Sequence, residues 1–182
     1  MDAMSGDRRD FVLTLGTLGA LPFIARPEVS APGPRPGDVL GPDEGEHLVH
    51  FRDGGDICIK ARSATSSSHL VVGTQQVKVG TGIPVHRHSA MDEAFYVLQG
   101  RGTVLLDDVG HAFDAGASIF IPRMTWHAFE NRGHELLLLW MVSPPGLESF
   151  FRATCSPPGA PPKGLTREQI RKIALKYGTE FR

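Results

Sequence analysis

Cysteine, tryptophan and tyrosine are scarce in this 182-residue chain, with two of each. Two cysteines, Cys58 and Cys155, exclude a disulfide-dense scaffold and a Cys-based zinc finger. They read as small buried apolar residues, with a single bridge as the alternative in an exported protein. Charge of one sign is also missing. Nineteen basic and 20 acidic residues leave a net charge of -1, and no long basic run occurs. Nucleic-acid binding therefore lacks its usual electrostatic basis. No apolar run reaches the roughly 20 residues that span a bilayer. No repeat of fixed period appears. What remains is the composition of a globular protein, 41% hydrophobic and 8% aromatic.

Proline is missing from the middle. Six of the 14 prolines precede residue 43 and six follow residue 143, so only Pro84 and Pro122 fall between. Proline has no backbone donor and is kept out of sheet interiors. The pattern marks residues 43–143 as a sheet-forming core, one domain of ordinary size. All eight histidines lie inside it.

The flanks read differently. Residues 1–31 open with Arg8-Arg9 and Phe11, followed by a short apolar stretch to Ala25. This resembles a twin-arginine export signal, with Asp7 where such signals carry Ser or Thr. The reading is export to the periplasm or exterior; the alternative is an N-terminal arm of a cytoplasmic protein. Residues 32–42 alternate Pro and Gly and read as a linker. Residues 144–182 form a Pro-rich segment and a helix. Leu147–Arg152 can form a turn or two, and Thr166 with Gln169 has the form of a capping box. Ile170, Ile173, Ala174 and Tyr177 then repeat at helical spacing, and Gly178 stops the helix. That stripe is expected to pack on the sheet or on a partner subunit.

Within the core, eight short runs have strand character: His47–Phe51, Asp56–Arg62, Leu70–Val79, Ala94–Leu98, Thr103–Leu106, Ser118–Ile121, His127–Phe129 and Glu135–Val142. Gly and Asp turns separate them. The fold class is all-β, a sandwich or barrel.

His86-Arg87-His88 follows Pro84 at a strand start. Alternation puts both imidazoles on one face, roughly 7 Å apart, with Arg87 on the other. Two imidazoles at that spacing can converge on a cation. Glu93 follows just before the strand Ala94–Leu98. His127 lies far along, after Pro122, so only a closed sheet brings it near.

The wider spacing is Gly80-x5-His86-x-His88-x4-Glu93-x6-Gly100, then Gly116-x5-Pro122-x4-His127-x3-Asn131. It resembles the two motifs of the cupin superfamily, and the chain as a whole is similar to small single-domain bacterial cupins of the quercetin dioxygenase-like type. Met124 departs from the pattern, standing where the family carries Gly. The resemblance implies a double-stranded β-helix, the cupin jelly-roll barrel. It implies a metal held by His86, His88, Glu93 and His127, with Glu93 also the candidate catalytic base. Three neutral imidazoles and one carboxylate suit Fe, Mn, Ni, Co or Zn, and ligand type does not choose among them. In a six-coordinate arrangement two positions stay open.

Phe95, Val97, Ile119, Ile121 and Phe129 are expected inside the barrel. Met124 and Trp126 are candidates for the mouth of the site. No arginine is expected inside, which favours a neutral or aromatic small-molecule substrate over a small diacid. His47, His50, His69, His111 and His134 read as surface or capping residues, with His111 in a hairpin turn. Three activities fit: a dioxygenase-like oxidoreductase, which is favoured, a non-catalytic metal or ligand-binding module, and an isomerase or epimerase. A homodimer through sheet edges is the default assembly.

Overall fold

The computed structural model describes residue 37, residues 39–60, 69–131, 133 and 135–182. The proposed signal, most of the linker and His134 lie outside the described residues.

The strands in chain order are β1 (Glu46–Val49), β2 (Asp56–Ile59), β3 (Val71–Val77), β4 (Gly82–His88), β5 (Asp92–Gln99), β6 (Arg101–Leu106), β7 (Val109–Asp114), β8 (Ser118–Ile121), β9 (His127–Glu130), β10 (Leu136–Ser143) and β11 (Thr179–Phe181). Helices α1 (Leu147–Thr154) and α2 (Arg167–Lys176) lie between β10 and β11. Two antiparallel sheets result. One has the order β1-β2-β3-β10-β5-β8 and the other β11-β4-β9-β6-β7. This is a double-stranded β-helix.

β3 and β10 show why the sheets face each other. Each alternates buried and half-buried residues along its length. Val71, Gln75 and Val77 of β3 point inward with Leu136, Leu138, Trp140 and Val142 of β10. Each fully buried aliphatic side chain contributes about 1.5–3 kcal/mol of burial free energy. Gly73 pairs with Trp140 across the two strands. A Cβ at Gly73 would overlap the Trp140 indole, so only glycine fits there.

Two strands, β7 and β11, exceed the sequence expectation, and β4 begins earlier than expected, at Gly82. β4 contains Pro84, which argues against a central strand. The structure accommodates it at a register irregularity between Ile83 and His86. β7 is exposed at all but one position, so it shows no apolar alternation, and His111 lies in this strand rather than in a turn. β11 is only three residues long but pairs with β4 from Thr179↔His88 to Phe181↔His86. The C-terminal segment thus adds a strand to the barrel beside the histidine strand. The strand expected over Asp56–Arg62 ends at Ile59, with residues 61 and 62 outside the described part.

The capping box of α2 is formed as read. The Thr166 side chain accepts from the Gln169 backbone N–H, and the Gln169 side chain accepts from Thr166 N–H at 2.8 Å. The helix packs against β11 and α1 within this chain. Cys58 and Cys155 are both free and buried. No helix among the described residues is long and apolar enough to cross a membrane.

Candidate metal centre

The four ligand candidates come from three strands and both sheets. His86 and His88 share the inner face of β4, and His86 pairs directly with His127 on β9. Glu93 enters from β5 in the opposite sheet. All four are buried, with relative exposures of 8%, 2%, 3% and 0% for His86, His88, Glu93 and His127. Their ligand atoms all lie within 4.8 Å of one another. That spread is comparable to twice a metal–nitrogen or metal–oxygen distance of roughly 2.0–2.2 Å.

The hydrogen bonds set the tautomers. His86 Nδ1 donates to the Pro84 carbonyl at 2.8 Å, and His127 Nδ1 donates to the Thr125 carbonyl at 3.0 Å. A carbonyl only accepts, so both rings present bare Nε2 lone pairs. His88 Nδ1 meets the Thr179 hydroxyl at 3.0 Å. Each ring is therefore anchored through Nδ1, the arrangement that orients metal-binding imidazoles.

The decisive atom is His127 Nε2. It is buried and has no hydrogen-bond partner. It stands 3.2 Å from Glu93 Oε2, lone pair facing lone pair. Two acceptors held that close in a dry interior call for a cation between them. Burial, with His127 and His88 alongside, keeps His86 well below its ordinary value. Neutral imidazoles and an ionised carboxylate are the forms a metal takes. The residues fit a divalent transition metal.

Residues 73–143 match the family described as Cupin domain. The chain belongs to the cupin superfamily. It is 36% identical over 69 residues to an uncharacterized protein of Methanocaldococcus jannaschii, covering 38% of this chain and 55% of that protein. It is 32% identical over 95 residues to protein SchB of Streptomyces halstedii, covering 51% and 69% of the two chains. Similarity to quercetin 2,3-dioxygenase of Bacillus subtilis is 28% over 119 residues, covering 65% of this chain but 35% of the dioxygenase. Among solved structures, KdgF from Halomonas sp. superposes with a TM-score of 0.54 at 21% identity, covering 60% of this chain and 96% of that one. The last comparison shows the shared cupin fold.

A cavity of about 460 Å³ opens beside the centre, lined by the ligands His86 and Glu93. Of the five residues expected in the cupin interior, all are buried, and Phe95 alone lines the cavity. Phe51, Phe150, Phe151 and Phe181 complete an aromatic wall.

Three expectations need correction. Arginines do line this cavity: Arg52, Arg167, Arg171 and Arg182. The sequence placed none inside because three of them come from the tail, beyond the motifs. Met124 and Trp126 do not line it. The Trp126 ring is covered by Arg87, 4.3 Å from its centre, and by Arg182 at 5.7 Å. Met124 is half-exposed and has φ of +69°, the left-handed conformation for which the motif's usual Gly is suited. His50 is not at the surface. It is 4% exposed and lines the cavity. Thr179 was missed altogether. The only sequence signal was its place after the helix-stopping Gly178. His47, in contrast, sits near the surface bonded to Asp56 at 3.0 Å, as expected.

Proposed function

We propose that this cupin is a metal-dependent, dioxygenase-like oxidoreductase acting on a small oxygenated aromatic substrate. The observation that carries the reading is the cavity itself. Its lining combines the ligands His86 and Glu93 with five phenylalanines. Its volume, about 460 Å³, suits a ligand of one or two rings. The likeness to quercetin 2,3-dioxygenase supports the same direction.

A divalent metal held by His86, His88, Glu93 and His127 supplies a Lewis acid for a substrate oxygen and, when redox-active, a partner for dioxygen. The phenylalanines orient the ring and exclude water. Glu93 reaches the cavity and accepts the proton of a substrate hydroxyl.

Oxygen-electrode assays on protein loaded separately with Fe(II), Mn(II), Co(II), Ni(II) and Zn(II) test this, using a panel of catechols and flavonols. Uptake with a redox-active metal and none with Zn(II) is expected. Absence of uptake with every metal, in protein shown to bind them, refutes the oxidoreductase and leaves an isomerase or a binding module. We also propose export through the N-terminal segment, which Arg8→Lys with Arg9→Lys should block, leaving the protein in the cytoplasm on fractionation. A homodimer paired through a sheet edge is proposed as the assembly.

A further inference from the structure

The cavity has a second polar end that the metal centre does not use. Gln75 is 4% exposed, lines the cavity and has a side-chain amide that bonds to no described residue. The amide is not sealed among protein atoms but opens on the cavity, where a ligand or water can bond to it. His50 and Arg52 line the same cavity. His50 Nδ1 accepts the Arg52 backbone N–H at 3.0 Å. Burial, with the Arg52 charge adding to it, pulls its pKa down to about 3. The neutral ring therefore carries its proton on Nε2, as a donor. Arg52 gives one side-chain hydrogen bond, from Nη2 to Asp53 at 3.2 Å, and its buried Nε has no partner.

Position separates this end from the metal. Gln75 pairs with Leu138, and Leu138 pairs with Val97. Glu93 is four residues back along β5. The two residues are thus roughly 10 Å apart across the sheet and roughly 13 Å along it. Both reach the same cavity. The lining charges are also one-sided. Arg52, Arg167, Arg171 and Arg182 face a single acid, Glu93, which the metal neutralises. Some of this charge is spoken for, since Arg52 pairs with Asp53 and Arg182 with Asp108 at 2.9 Å. Arg167, also in the lining, forms no ion pair within the described residues, and Arg171 donates from Nη2 to a main-chain oxygen of Arg182 at 3.2 Å. Low-dielectric walls focus such a field on an entering anion.

We infer that Gln75, His50 and Arg52 form an acceptor-binding subsite, and that the substrate is an aromatic acid. Its hydroxyl end faces the metal centre and its carboxylate faces the three donors. The inference rests on the cavity being the substrate site of the proposed reaction.

Binding to redox-inert zinc-loaded protein separates the two ideas. The probes are 3,4-dihydroxybenzoate and its methyl ester, titrated by calorimetry. The acid should bind at least about tenfold tighter than the ester, the range of one charge-assisted contact. Gln75→Leu, which keeps the shape, should reduce that preference to about threefold or less, with Gln75→Met as a second variant and thermal melts confirming the fold. Equal affinity for acid and ester, a preference that survives in both variants, or no binding of either probe overturns the subsite. A preference for the acid without oxygen uptake by the Fe(II) form sinks the dioxygenase reading and leaves the subsite standing. Oxygen uptake with equal acid and ester binding does the reverse.

Discussion

Replacing Thr179 with Val tests how far the C-terminal strand belongs to the metal centre. Thr179 is 1% exposed and its hydroxyl lies 3.0 Å from His88 Nδ1, itself in a ring 2% exposed. With His88 bound to metal through Nε2, Nδ1 must carry a proton and needs an acceptor. Valine matches threonine in shape, so no cavity forms, but the acceptor is gone. A buried donor left unpaired costs about 1–3 kcal/mol. Removal of an outer hydrogen bond to a metal-bound histidine costs about 10- to 100-fold in affinity, or about 1.4–2.7 kcal/mol. The two routes agree. Competition against a chromogenic chelator with Zn(II) should therefore show a dissociation constant raised about 10- to 100-fold in Thr179→Val. Thr179→Ser, which keeps the oxygen, should recover most of it. The melting temperature of the metal-bound form should fall more than that of the metal-free form, because binding energy adds to folding. A Thr179→Val protein that binds zinc within about twofold of wild type refutes the reasoning.

His88→Ala removes a ligand outright and should abolish stoichiometric metal in plasma emission analysis; full occupancy would mean that the ligand set is wrong. Met124→Gly should stabilise the protein by about 1 kcal/mol in urea unfolding, since the +69° φ strains any side chain; an unchanged midpoint would show the turn to be unstrained. His50 gives a pH dependence. Its folded pKa of about 3 lies below the ordinary 6.5, so the unfolded chain takes up a proton first as pH falls. Stability is full above pH 6.5 and is lost on acidification toward pH 3. Between pH 6.5 and 5 this one ring accounts for up to about 2 kcal/mol. In metal-free protein, His50→Gln should lose correspondingly less across that interval, and parallel curves for the two proteins would count against a buried neutral His50.

Half of the ligand set was legible from a local rule. His86 and His88 differ by two residues, so any strand puts them on one face. Glu93 and His127 were implied by the resemblance to the cupin motifs, and β5 and β9 deliver them there. The interior residues Val97 and Ile121 followed from strand parity. The cavity was less accessible. Its arginines were missed because Arg167 and Arg171 lie on a helix whose docking direction no local pattern states. His50 looked like a strand-edge residue because its burial comes from packing against Phe51 and Phe151, the latter about a hundred positions away.

By itself, the sequence determined an all-β domain with proline-rich flanks and a strand face carrying two imidazoles, and the resemblance to the cupin motifs added the third imidazole and the carboxylate. Periodicity, turn chemistry and ligand spacing are properties of short segments, and they survive being read one window at a time. Only the tertiary structure decided what surrounds those ligands. β11 pairs with β4 across some ninety residues of chain, bringing Thr179 to His88 and Phe181 to His86. The same closure carries the arginines of α2 to the mouth of the cavity. Such contacts depend on how the whole chain packs, and no segment encodes them alone.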